Sequence, residues 1–238
     1  MPPRIYYPEL KQSASCIDLP AKQAQHLRVL RLLQGEEVEL FDGKGQTAQA
    51  KLLEISKKRV ALEREPIVSV PAPETHPVHL LQALTRHETM DWILQKATEL
   101  GVKSITPLIC ERTQGRLKGE QGQKKQAHWQ EVLVSACEQS GLNFLPVLNP
   151  PILFVDYLQQ HSLQNAHFIL DPQSTHSFEA YAPPAASSLL IGPEGGWTAS
   201  ELLQALAAGA QPICIHANVL RAETAAVCAI SLCQYAFK

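Results

Sequence analysis

From residue 126 to residue 220 the chain has no lysine and no arginine. A surface that grips phosphates needs cations, so any such surface must come from the N-terminal part and from residues 86–125. Charge is sparse elsewhere too. Only 18% of the 238 residues are charged and the formal net charge is −2, which excludes a strongly basic nucleic-acid binder. The balance is uneven: residues 1–73 carry eleven Lys and Arg against nine Asp and Glu, the remainder ten against fourteen. No apolar run approaches the roughly 18 residues of a membrane span. The opening MPPRIYYPEL lacks the basic and apolar regions of a signal peptide, so a cytoplasmic location is expected. The six cysteines (16, 110, 137, 214, 228, 233) include no C-x-x-C pair and no histidine at ligand spacing. They read as reduced thiols, mostly in apolar surroundings, and no metal site is expected.

What is present is a globular chain of 26.2 kDa with 45% apolar residues, enough for a sizeable core without staples. One boundary stands out. EPIVSVPAPETHP (65–77) holds four prolines and reads as an extended linker. Ahead of it, Val38–Phe41, the turn Asp42-Gly43-Lys44-Gly45, Ala48–Leu52 and Arg59–Leu62 predict a hairpin and a third strand, with a short helix over 21–30. After it the rhythm becomes strand–helix alternation, which predicts a parallel α/β sheet. Strands are expected at 78–84, 104–110, 167–170, 188–191 and 212–215, with helices at 88–100, 126–140, 199–208 and 222–236. Segment 115–125 (GRLKGEQGQKK) reads as a basic solvent loop. The domain expectation is 1–70 and 71–238.

Two segments carry the chemistry. In the first, Leu189-Leu190-Ile191-Gly192-Pro193-Glu194-Gly195-Gly196-Trp197 runs into Thr198 and Glu201, which form a capping box. A strand, a glycine-rich loop and a helix normally cradle a nucleotide at the sheet's carboxyl edge. Here Pro193 removes an amide and Glu194 would repel a phosphate, so the loop suits an uncharged or cationic ligand; no P-loop or G-x-G-x-x-G fingerprint is present. In the second, Val219-Leu220-Arg221-Ala222-Glu223-Thr224-Ala225 opens the last helix. A cation at a helix N-terminus opposes the macrodipole and so points to another job. From Thr224 to Phe237 that helix carries no charge, which predicts burial on both sides, by the sheet and by a second subunit, with Ile230 taken as an outward position. The charge map makes Arg4, Arg28, Arg31, Arg86, Arg112 and Arg116, with Lys118, the candidate phosphate contacts.

IGPEGGWTASEL followed by VLRAETAAVCAISL resembles the ribosomal small-subunit methyltransferase E family of the SPOUT superfamily. The resemblance extends through Pro3–Tyr6, His26–Arg31, Leu40–Gly43, Met90-Asp91-Trp92, Gln95–Gly101, Thr106-Pro107-Leu108, Glu111-Arg112 and Glu138–Gly141. It implies a C-terminal SPOUT-type trefoil-knotted parallel α/β domain and a small N-terminal PUA-like β-barrel domain that binds RNA. It further implies a homodimer, S-adenosylmethionine as methyl donor, and methylation of N3 of a uridine in 16S rRNA, position 1498 in the usual numbering, within the assembled small ribosomal subunit. By motif, the cofactor would meet Leu170, Ile191, Gly192, Glu194, Gly195, Gly196, Ile215, Val219, Leu220, Thr224 and Ala225. Arg221 would be the catalytic cation, and Glu223 would orient it or take the N3 proton.

The chain departs from the family pattern at three places. His216-Ala217-Asn218 stands for Gly-Pro-Arg, Gly141-Leu142-Asn143-Phe144 for Gly-Arg-Asn-Arg, and Arg86-His87-Glu88-Thr89 for Lys-Gly-Asp-Lys. The lost cations leave a second reading open, a non-catalytic rRNA-binding relative with a degenerate cofactor pocket, which cofactor titration separates from the first.

Overall fold

The computed structural model describes residues 2–57, 59–113, 119–161 and 166–238, the side chain of Lys22 apart. They form two compact units, Met1–Pro73 with Val134–Leu145 and Glu74–Leu133 with Pro146–Lys238.

The first unit holds β1 (Arg4–Tyr6), β2 (Cys16–Asp18), α1 (Ala21–Val29), β3 (Glu37–Phe41), β4 (Gln46–Ile55), β5 (Val60–Arg64) and β6 (Val68–Ser69). The strands make one sheet in the order β1-β3-β4-β5-β2, with β6 on β4. Alternation in β3 and β4 sends Val38, Leu40, Ala48, Ala50 and Leu52 into a core shared with Leu10, Ile17, Leu27 and Leu62. The hairpin turn is closed by the Asp42 carboxylate, whose Oδ1 accepts from the amides of Lys44 and Gln46 at 2.7 and 2.9 Å. The proline-rich segment is extended as expected, yet Val68 and Ser69 pair with Thr47 and Gln46 instead of running free.

Arg4 corrects the charge map. It is 7% exposed, and its guanidinium makes four hydrogen bonds inside this unit. Nε donates to Glu39 at 2.8 Å, Nη1 to the carbonyls of Cys137 and Leu142 at 2.9 and 3.2 Å, and Nη2 to Asn143. The cation also lies over the Phe41 ring. A buried guanidinium with four of its five donors spent on a carboxylate and three amide oxygens is poorly placed to hold a phosphate.

The second unit contains β7 (Val78–Ala83), α2 (His87–Glu99), β8 (Ser104–Ile109), the start of α3 (Gly119–Ser140), β9 (Val147–Leu148), β10 (Ile152–Leu153), α4 (Phe154–Gln160), β11 (His167–Leu170), β12 (Ser187–Ile191), α5 (Ala199–Ala207), β13 (Gln211–Ile213) and α6 (Ala222–Ala236). Every pairing in this sheet is parallel, in the order β10-β8-β7-β12-β11-β13 with β9 beside β8. Consecutive buried residues such as Leu80-Leu81 and Leu189-Leu190 show that both sheet faces are covered, the condition for a parallel sheet. β13 lies at the edge, but α6 packs on β12, β7 and α2. The chain therefore recrosses the carboxyl edge of the sheet through 214–221, and this return builds the candidate site.

One expected loop is helix instead. α3 begins at Gly119, so residues 119–125 are helical, while 114–118, including Arg116 and Lys118, lie outside the described residues. No described helix is long and apolar enough to cross a membrane. All six cysteines are free, and burial raises the thiols of Cys137 and Cys233 to about 12 and about 11, as expected of core thiols.

In α6 the inward residues are Ala222, Ala226, Ala229, Ile230 and Cys233. Ile230, taken from sequence as outward, is 0% exposed; the outward apolar residues are Leu232 (42% exposed) and Tyr235 (73%). A stripe without charge does not reveal which of its sides meets the sheet.

Two desolvated histidines, His76 buried and His79 partly buried, give the unit a pH dependence. His76 is hydrogen-bonded to Ser187 at 2.8 Å, and His79 to Ser104 at 2.7 Å. Desolvation holds both below the usual histidine value, with Lys103 adding to the shift at His79. The unfolded chain then binds more protons than the folded one below about pH 6.5, so stability falls as pH drops through that value. Thermal midpoints measured between pH 7.5 and 5 should decline, and His76→Gln should make the decline shallower. A midpoint that rises on acidification contradicts this.

Candidate functional site

A cavity of about 600 Å³ opens at the carboxyl edge of the parallel sheet. Its walls come from segments that follow strand ends, where open α/β sheets bind ligands. Leu170, Asp171 and Pro172 follow β11, Ile191 to Glu194 with Gly196 and Trp197 follow β12, and residues 213–216 and 218–223 follow β13. Arg86 and Thr89, from the start of α2, complete it.

Local chemistry fixes these loops. Thr198 and Glu201 make the expected capping box, with Glu201 N donating to Thr198 Oγ1 at 3.2 Å and Thr198 N donating to Glu201 Oε2 at 2.9 Å. Glu201 does more than cap. Its Oε1 accepts from the amide of Glu111 at 2.8 Å, joining the segment after β8 to the start of α5. From that segment Arg112 Nη1 reaches the carbonyl of Gly195 at 2.7 Å. Trp197 Nε1 donates to the carbonyl of Leu170 at 3.2 Å, and its ring rests against Phe154. A Cβ at Gly192 would sit 3.3 Å from the indole, so a side chain there must push the ring back by a few tenths of an ångström, and Gly196 has φ +67°, a conformation that favours glycine.

The cavity is polar in a particular way. Glu194 Oε1 accepts from the amide of Arg86 at 3.0 Å, placing a carboxylate at the N-terminus of α2. Asp171, Glu194 and Glu223 face it against the guanidinium residues Arg86 and Arg221, an excess of negative charge. Arg221 is the N-cap residue of α6 and exposed, and it makes no ion pair among the described residues; the surface pairing with Glu223 that a structural role would require is not formed.

Of the residues selected from sequence, Leu170, Ile191, Gly192, Glu194, Gly196, Ile215, Val219, Leu220, Arg221, Glu223 and Ala225 line this cavity. Gly195 and Thr224 do not. Gly195 faces Arg112, whose Cδ would lie 3.3 Å from an added Cβ, and its φ is not in the left-handed region, so a side chain there would disturb Arg112 before any ligand. Thr89, Trp197 and Cys214 line the cavity without having been selected; Trp197, directly after the glycine pair, was the one with a signal to find. His216 sits at the mouth, where its Nδ1 accepts from the amide of Asn218 at 3.0 Å and closes a turn. Among the cations assigned to RNA, Arg86 lines the cavity, Arg112 holds the glycine loop, and Arg28 Nε donates to the carbonyl of Ser56 at 2.8 Å. Arg31 is exposed.

Comparison with known proteins gives this architecture its class. The model of an RNA methyltransferase domain matches residues 72–234, and that of an RNA methyltransferase PUA domain matches 19–63. A methyltransferase of Legionella pneumophila solved with bound SAM is 34% identical, with a TM-score of 0.94 over 99% of this chain and 98% of that one. A ribosomal RNA small subunit methyltransferase E from Neisseria gonorrhoeae, bound to S-adenosyl methionine, is 35% identical, with a TM-score of 0.89 over 99% and 98%. The protein of that name from Synechocystis is 32% identical over 90% of this chain and 71% of its own length. The fold is that of an RNA methyltransferase, a parallel α/β domain preceded by a PUA domain. The chain belongs to the ribosomal RNA small subunit methyltransferase E family.

Proposed function

We propose that this chain methylates N3 of a uridine in small-subunit ribosomal RNA, position 1498 in the usual 16S numbering, using S-adenosylmethionine, with residues 1–70 as the RNA-binding domain and 71–238 as the methyltransferase domain. The cavity suits that cofactor on its own terms. Its volume is that of a small-molecule site, its wall carries more carboxylates than guanidinium groups, and Gly192 and Gly196 keep its backbone open. When bound, S-adenosylmethionine supplies an activated methyl group on a sulfonium cation. Leu170, Ile191, Ile215, Val219 and Leu220 would exclude water from it, and Glu194 and Asp171 would offset its charge.

The observation that carries the reading is Arg221, a guanidinium in the cavity wall without an ion pair among the described residues. Uridine N3 must lose its proton to become a nucleophile, and a preorganised cation lowers the cost of the resulting uracil anion. Glu223, two residues on and in the same wall, would take the proton or steer the guanidinium. Positioning of base and methyl group in line supplies much of the remaining acceleration. Calorimetric titration tests the cofactor assignment: one S-adenosylmethionine per chain should bind, and neither ATP nor NAD. Absence of S-adenosylmethionine binding by the folded protein would leave only the non-catalytic relative.

RNA would be held by the N-terminal unit, where Arg31 supports the assignment. It follows α1 with φ +57°, a left-handed conformation that glycine adopts at no cost, so its side chain is retained against a local penalty. Arg31→Gly should therefore stabilise the protein slightly, by up to about 1 kcal/mol, while weakening RNA binding. The slope of log affinity against log salt should flatten by roughly 0.7–0.9. Filter binding across a salt series, beside a thermal melt, reads both; unchanged affinity removes Arg31 from the footprint.

A homodimer through α6 completes the reading, supported by the outward Leu232 and Tyr235 of α6 and by the exposed Trp92 of α2, the helix on which α6 packs. The variant Leu232→Glu with Tyr235→Glu should be a monomer by light scattering with its helical content retained. A wild-type monomer at micromolar concentration contradicts this.

A further inference from the structure

Apart from the cavity, three metal-ligating side chains meet in the second unit. His87 and Asp91 stand four residues apart on α2, which puts them on the same face, and His128 approaches from α3. Their ligand atoms all lie within 4.8 Å of one another. One oxygen of Asp91 serves both rings: Oδ2 is 2.7 Å from His128 Nε2 and 3.2 Å from His87 Nδ1. The other, Oδ1, is buried with no hydrogen-bond partner among the described residues. Such a group costs free energy, and here it stands beside two imidazole nitrogens that already converge on the same carboxylate. The two rings meet edge to face at 5.1 Å, so each presents a nitrogen to the common point without stacking over it.

We propose that His87, Asp91 and His128 form a site for one divalent transition-metal ion of the zinc class. Donors bound at about 2.0–2.2 Å in a tetrahedron lie roughly 3–3.5 Å apart, near the two spacings to Asp91 Oδ2, and the two ring nitrogens lie within 4.8 Å of each other. Two imidazoles with one carboxylate select zinc, cobalt, nickel or copper over magnesium and calcium, which prefer oxygen shells. Three protein ligands leave a position for water, and the half-exposed rings leave a route for the ion to enter. The ion would pin α3 to the first turn of α2, the turn whose Arg86 and Thr89 line the cavity. Cysteine spacing gave no hint of this, because the ligands are histidines and a carboxylate, and one of them is 37 residues from the others' helix position.

The test uses the full chain without an affinity tag, stripped of metal and titrated with Co²⁺. One equivalent should bind with visible absorption of a four- or five-coordinate centre, Zn²⁺ should displace it, and Mg²⁺ should not. His128→Ala and Asp91→Asn should each weaken Co²⁺ binding by at least about tenfold while S-adenosylmethionine affinity stays within about twofold, which separates this site from the cofactor reading. His87→Gln, at an exposed position, gives the same comparison should Asp91→Asn fail to fold. Absence of saturable Co²⁺ binding below about 1 mM, or undiminished binding in the folded variants, overturns the proposal.

Discussion

Arg221→Ala is expected to lower kcat for methylation of small subunits by about 10²–10³, with S-adenosylmethionine affinity within about twofold of wild type. The magnitude follows from what one preorganised donor is worth to a developing anion, on the order of 3–4 kcal/mol. The direction follows from geometry. Arg221 caps the N-terminus of α6, where a cation opposes the helix dipole at a cost of about 0.3–1 kcal/mol. No carboxylate among the described residues pairs with it to offset that cost. Arg221→Lys should recover part of the rate, since a point charge lacks the planar fork. Single-turnover assays decide the matter: normal turnover with a lowered melting temperature would make Arg221 a structural residue.

The second large effect is expected at Glu201. This carboxylate is buried and serves three donors: the amides of Thr198 and Glu111 and the Thr198 hydroxyl. Glu201→Ala removes the capping box and strands the Glu111 amide, at a cost of about 2–3 kcal/mol. For a chain of this size that is a fall of roughly 4–12 °C in Tm. The loss also unties the segment of Glu111 and Arg112 from the start of α5, leaving the Arg112 hydrogen bonds to hold the glycine loop, so cofactor affinity should drop with stability. Glu201→Gln keeps one acceptor oxygen and should fall between the two. A melting temperature within 1–2 °C of wild type for Glu201→Ala would show that water replaces the carboxylate.

Much of the fold could be read from the residues. Five of the seven described strands of the parallel sheet announced themselves as short apolar runs, because a strand covered on both faces has no polar side to show, whereas the two-residue β9 and β10 did not. β1 and β2 did not, since three-residue strands such as Arg4–Tyr6 and Cys16–Asp18 are too short to display a period. The start of α3 was missed because Gly119 and Gly122 in a basic, glutamine-rich run carry loop propensities that the helix overrides.

At the site, the two loops were legible because Pro193, Glu194 and Arg221 each break a local rule. The clamp that holds them was not: Glu111 and Glu201 are 90 residues apart, and a capping box looks complete without a third partner. Arg4 failed for a related reason. Charge counts register a guanidinium but not the carbonyls of Cys137 and Leu142 that occupy it. The His87–Asp91–His128 cluster likewise exists only once α2 and α3 are packed.

The central claim is transfer of a methyl group from S-adenosylmethionine to uridine N3 in small-subunit rRNA. The most direct measurement incubates small subunits from cells lacking the protein with the purified chain and S-adenosylmethionine carrying a deuterated methyl group, then maps label by mass spectrometry of nuclease digests. The reading predicts one trideuteromethyl group per subunit, on N3 of a single uridine, and none with Arg221→Ala on the same timescale. Label on another atom or nucleotide, or no label from a protein that binds S-adenosylmethionine, would contradict it.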